Sequence, residues 1–113
     1  MLELITKVVG VTFLNRDGTS RQAAIVALKE DLSGGSPVSL MLKREPKNPK
    51  DERAVAILTA DGQQVGYLSR SDNGEVAILI DTGKSVVCEA VRVLGPGSKM
   101  IYGLVVEVRE ARL

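Results

Sequence analysis

The chain contains no histidine, which removes imidazole catalysis and histidine-ligated metal sites, zinc sites of that kind among them, before any other residue is weighed. It has no tryptophan, one phenylalanine and two tyrosines. The core must therefore be aliphatic, and Phe13, Tyr67 and Tyr102 can each be judged singly. The lone cysteine, Cys88, has no internal partner, so a disulfide framework is excluded and a reducing compartment is favoured. Its apolar surroundings in Ser85–Val91 read it as a small buried hydrophobe. No apolar run reaches the length of a membrane span, and Met1–Lys7 lacks the basic start and apolar centre of a signal peptide, which together predict a cytoplasmic protein. Neither sign of charge dominates: 15 basic residues face 14 acidic ones, a net charge of +1. The strong global field of an electrostatic DNA binder is missing, and any nucleic-acid role has to be local.

What is present fits one domain of 113 residues, 1–113, with a core large enough to need no metal or disulfide. Apolar and β-branched residues from Leu4 to Phe13 predict a strand bent at Gly10, followed by a turn at Asn15-Arg16-Asp17-Gly18. Thr19 and Gln22 have capping-box spacing, and a helix is expected over 20–29 with Ala24, Ile25 and Leu28 inward. Val38–Leu42 reads as a strand. Ala54–Thr59 and Gln64–Leu68 form a hairpin across Asp61-Gly62. A second helix is capped by Ser69 or Ser71, carries Asp72 and Glu75 in its first turn, buries Val76, Ile78, Leu79 and Ile80, and ends at Gly83. Strands over Ser85–Leu94 and Lys99–Arg109 complete a mostly β fold, a small antiparallel β-barrel of about six strands with two inserted helices.

Catalytic chemistry has little to work with. Serines and threonines lack a base, and no carboxylate pair belongs to an acid–base constellation, so no enzyme and no cofactor is expected. Ser33-Gly34-Gly35-Ser36 lacks the glycine spacing and lysine of a phosphate loop and reads as a plain turn. Asp51 and Glu52 are adjacent carboxylates in a cation-rich loop, where salt bridges and caps are the commoner use than a metal site. The loop itself is the informative segment. Between Lys43 and Arg53 stand Lys43, Arg44, Lys47, Lys50 and Arg53 against Glu45, Asp51 and Glu52, with Pro46 and Pro49 restricting the backbone. Such cations either grip phosphates or pair with the loop's own acids, and composition leaves both open. Arg44 beside Glu45 reads as an ion pair.

The pattern Lys43-Arg44-Glu45-Pro46-x-Asn48-Pro49-x-Asp51-x-x-Ala54-Val55, followed by Val65-Gly66-Tyr67-Leu68, resembles the HIRAN domain family. Val8–Phe13 resembles that family's opening strand, Glu75–Leu79 with Asp81 its second helix, and the likeness covers roughly residues 5 to 109. The resemblance implies an OB-like barrel and a module that binds single-stranded DNA, at 3′-hydroxyl ends in some members, in repair or replication-fork processing. Implied partners are single-stranded DNA or DNA 3′ ends and a helicase, nuclease or other repair protein.

Carried over by position, the resemblance implies DNA contacts at Phe13, Asn48, Asp51, Tyr67 and Arg70, and the loop cations Lys47 and Lys50 join the candidate DNA-binding set as phosphate-attracting charges. Asp51 would accept a hydrogen bond from a terminal sugar hydroxyl, Phe13 would stack a base from the first strand, and Arg70 would hold phosphate. Tyr67 stands where some members have histidine. Each has a structural reading too: Phe13 as core, Tyr67 as a barrel cap, Asn48 and Asp51 as formers of Asx turns. The sequence departs from end-binding members at Lys50, where they commonly place tyrosine, at Thr12, where a cation is found, and at Met100, near a late-strand aromatic. Reduced stacking predicts weak, salt-sensitive binding. The alternative is a protein-interaction or adaptor module in a phage or bacterial DNA-processing assembly, with no direct DNA contact.

Overall fold

A computed structural model describes residues 2–111. Six strands, β1 (Glu3–Lys7), β2 (Val38–Arg44), β3 (Val55–Thr59), β4 (Gln64–Tyr67), β5 (Val86–Leu94) and β6 (Gly103–Glu110), form one antiparallel sheet in the order β1-β6-β5-β2-β3-β4. Bulges between Ala90 and Arg92 and between Ile57 and Leu58 curl it, because an extra residue on one strand bends that strand and increases its twist. The curl goes far enough that Val9, just past β1, bridges Tyr67 of β4 through two hydrogen bonds of 2.9 Å, and the half-barrel meets its own opposite edge there. This is the expected mostly β, OB-like architecture.

The interior is aliphatic. Ile25, Val55, Ile57, Val65, Leu68, Val76, Leu104, Val106 and Val108 are buried, supplied by alternate strand positions and one face of each helix. Helix α1 (Arg21–Leu32) packs on β5, β4 and β2, and α2 (Asn73–Asp81) on β3 and β5. Cys88 is enclosed in this core, and burial pushes its thiol up to about 12. The native protein should therefore leave a thiol-specific disulfide reagent unreacted at about pH 8, while the unfolded chain reacts fully, because the thiolate is the nucleophile. Rapid labelling of the native form would contradict this.

Several local expectations change. The first strand ends at Lys7, with Val9 making a separate bridge, so Phe13 lies in the following turn and not on a strand. The α1 cap is Ser20, whose Oγ accepts from Ala23 N at 3.1 Å, and not Thr19. Gln22 is occupied elsewhere: its amide donates to Val11 O and Tyr102 O and accepts from Tyr102 N. At α2 the cap position is Asp72, without a side-chain cap bond. Ser69 Oγ donates to the Asp72 carboxylate instead, as does Thr6 Oγ1 from β1, which leaves neither Ser69 nor Ser71 as the cap. Ile78 is 65% exposed because Val76 and Ala77 already form the inward face of so short a helix. Arg44 is the last residue of β2 and pairs with Asp81 on α2, with Nε and Nη2 each 3.0 Å from a carboxylate oxygen, and not with Glu45.

Candidate nucleic-acid interface

The segment from Glu45 to Ala54 is three turns in succession. Asn48 N donates to Glu45 O, Asp51 N to Asn48 O and Ala54 N to Asp51 O, and Glu45 N closes the set on Ala54 O. Pro46 and Pro49 occupy the second residue of the first two turns, where their fixed φ is favoured. Asn48 Oδ1 accepts from Lys50 N, and Asp51 Oδ1 from Arg53 N, both at 2.9 Å, so the Asx-turn reading of these two residues holds. The three-residue period puts Lys47 and Lys50 at equivalent third positions of consecutive turns, both exposed.

Two clefts adjoin this loop. The first, of about 410 Å³, is lined by Phe13, Asn48, Lys50, Asp51, Tyr67 and Arg70 among others. Six of the seven residues singled out from the sequence therefore meet in one place. Lys47 lines the second cleft, of about 670 Å³, together with Arg16, Lys43 and Glu45. Met100, on the β5–β6 connection, lines neither. Phe13 is 66% exposed at the rim of the first cleft, so its core reading falls and its ring is free to meet a ligand.

Tyr67 stands between the clefts. Its hydroxyl donates to Glu45 Oε1 at 2.8 Å, the same oxygen that accepts from Asn48 Nδ2 at 2.9 Å, which ties β4 to the first turn of the loop. Gly66 makes Tyr67's position possible. A Cβ there would lie 2.4 Å from Val9 O and 2.6 Å from Val8 Cγ1, so only glycine lets the two edges approach.

Asp51 is the acid of the first cleft. Hydrogen bonds from Arg53 N and from Asn73 Nδ2 (2.8 Å), with the Arg70 and Arg53 charges nearby, hold its carboxyl below the usual carboxylate value. It is an anion at neutral pH and accepts hydrogen bonds only. Each oxygen is engaged once, which leaves lone pairs for a ligand donor. Arg70 donates from Nη2 to Lys50 O at 3.0 Å and leaves its guanidinium largely exposed. Asn73, which in the sequence reads as an ordinary first-turn residue of α2, is buried behind Asp51 and orients it; its own Oδ1 is a buried acceptor without a partner. Arg21 is equally unmarked in the sequence: it lines both clefts and lies 5.4 Å from the Tyr67 ring centroid. Among the described residues no group of three or more potential metal-ligating side chains converges, and no helix is long and apolar enough to cross a membrane.

A curled antiparallel sheet carrying a cationic, aromatic-rimmed cleft beside its closing edge defines a small module of the OB-like kind. The family model described as HIRAN domain matches residues 3–108, and the chain belongs to that family, one of DNA-binding modules. Among solved structures, the HIRAN domain of human HLTF is 18% identical, with a TM-score of 0.61 over 96% of this chain and 74% of that one. A protein from Lactobacillus plantarum, also 18% identical, has a TM-score of 0.63 over 95% of this chain and 98% of that one. A comparison with the curated proteins finds no match.

Proposed function

We propose that the protein binds single-stranded DNA through the cleft between Phe13 and Asp51 and recognises a 3′-hydroxyl end there, serving DNA repair or replication-fork processing. The observation that carries this reading is the convergence of Phe13, Asn48, Lys50, Asp51, Tyr67 and Arg70 on one cleft in a member of the HIRAN family. The division of labour follows from chemistry. Phe13 offers a face for a base. Arg70 and Lys50 attract phosphate. Asp51, anionic and acceptor-only, takes a hydrogen bond from a sugar hydroxyl and repels a terminal phosphate.

A titration of oligonucleotides labelled at the 5′ end, carrying either a 3′-hydroxyl or a 3′-phosphate, tests both halves. The hydroxyl end should bind more tightly, and Asp51→Asn should narrow the difference by removing the repulsion. Equal affinity for the two ends overturns end recognition, and no binding of either at high protein concentration and low salt overturns DNA binding. In that last case the adaptor reading takes over, favoured by the adjacent Phe13 and Leu14, exposed by 66% and 67% at the cleft rim.

A further inference from the structure

Arg21 is the one charged side chain that is buried among the described residues, with 8% of its surface exposed. Buried charges are normally paired, because removing an ion from water costs several kcal/mol unless a counter-charge offsets it. The less buried Arg44 and Arg109 follow that rule, with Asp81 and with Glu89 and Glu107. Arg21 has no carboxylate partner within 4 Å among the described residues. Its Nε donates to Asn15 Oδ1 and its Nη1 to Gly10 O, both neutral acceptors at 2.8 Å, and the Tyr67 face supplies only a cation–π contact. Nη2 has no hydrogen-bond partner, yet it is not sealed from solvent, since Asn73 Oδ1 is the one buried side-chain atom left unpaired among the described residues. A guanidinium cannot shed its proton to escape this position.

The location gives the missing counter-charge a direction. Leu14, Arg21, Asn48 and Tyr67 line both clefts and form their common wall, and Arg21 is the one charged residue of the four. Beyond it the second cleft presents Arg16, Lys43 and Lys47 against Asp17 and Glu45. A strand whose end occupies the first cleft and whose chain continues into the second must pass a phosphate over this wall.

We infer that the two clefts form one continuous surface for a single strand longer than its terminal nucleotide, and that Arg21 is the binding residue for the phosphodiester at their junction. The inference rests on the reading of the first cleft as a strand-end site. Arg21 supplies the fixed anion contact, and Arg16, Lys43 and Lys47 hold the next stretch of backbone.

The test measures affinities of (dT)2, (dT)4 and (dT)8, all with 3′-hydroxyl ends, across a salt series for the wild type, Arg21→Gln and the exposed pair Arg16→Glu with Lys43→Glu. The wild type should gain affinity with length. Arg21→Gln should weaken (dT)4 and (dT)8 by about tenfold or more and flatten the dependence of log K on log[salt] by about 0.7, the share of a single phosphate on a single strand. A folded Arg21→Gln protein with an unchanged salt slope overturns the inference. If Arg21→Gln does not fold, the surface pair decides: a fall in the (dT)8 to (dT)2 affinity ratio supports a continuous surface, and an unchanged ratio overturns it. Wild-type protein that binds (dT)2 with no gain on lengthening overturns this inference alone, whereas protein that binds none of the three overturns the strand-end reading as well.

Discussion

Gly66→Ala is expected to cost about 3 kcal/mol or more and to lower the melting temperature by roughly 10–20 °C in a domain of this size. The added Cβ would sit 2.4 Å from a backbone oxygen, Val9 O, and 2.6 Å from Val8 Cγ1, at a φ of +155° that side chains rarely adopt. Neither neighbour is a flexible side-chain tip. Relief requires the edges to part, which breaks the two Val9–Tyr67 hydrogen bonds and moves the Tyr67 ring away from Arg21 and its hydroxyl away from Glu45. Gly62, on the β3–β4 turn with open space around its Cβ position, is the control: its φ of +91° carries strain but no clash, so Gly62→Ala should cost less. Thermal melts followed by circular dichroism compare the two, and equal losses would remove the close approach as the cause.

Lys50→Tyr is expected to tighten single-strand binding by about five- to a hundredfold, the worth of one base–aromatic stack of roughly 1–3 kcal/mol. Lys50 is exposed, lines the first cleft with Phe13, and contributes to the loop only through its backbone, whose carbonyl accepts from Arg70 and whose N–H reaches Asn48. Its side chain can be exchanged without unmaking the turns. The gain should be largest at about 200 mM salt and smaller at low salt, because the substitution also removes one phosphate-attracting cation. Anisotropy titrations at both salt concentrations measure it. Weaker binding at high salt would show that this position faces backbone and not bases.

The architecture is largely legible in the sequence because its signals are local. Alternating apolar residues in β2 and β6, the Asp61-Gly62 hairpin and the Pro46 and Pro49 turns each specify their own geometry within a few residues. Six of seven proposed contacts also converge on one cleft, since five of them lie on the two connections that flank β3 and β4 or at their ends. What stays hidden depends on distant partners. Arg21 opens a helix and looks like any solvated helix residue; its burial comes from Gly10, Asn15 and Tyr67, which folding alone brings to it. Arg44 has a carboxylate next door in sequence but finds Asp81, 37 positions on, because successive residues at a strand end point to opposite faces. Phe13 reads as strand because β-branched residues run up to it. The chain instead turns at Gly10, with a φ of +71°, once Val9 has reached β4.

The distribution of charge has a kinetic consequence. Six of the chain's 15 cations but only three of its 14 acids line the two clefts, so the rest of the molecule carries more acids than cations. The excess of cations lies at the clefts, and its field fades within about 8 Å at physiological ionic strength. A double helix lying across the rest of the surface meets a nearly neutral body with little to hold it by. A module of this kind is poorly suited to sliding along duplex in search of its target. On the proposed strand-end reading, it should meet exposed ends by three-dimensional collision, at rates limited by orientation and not by long-range attraction.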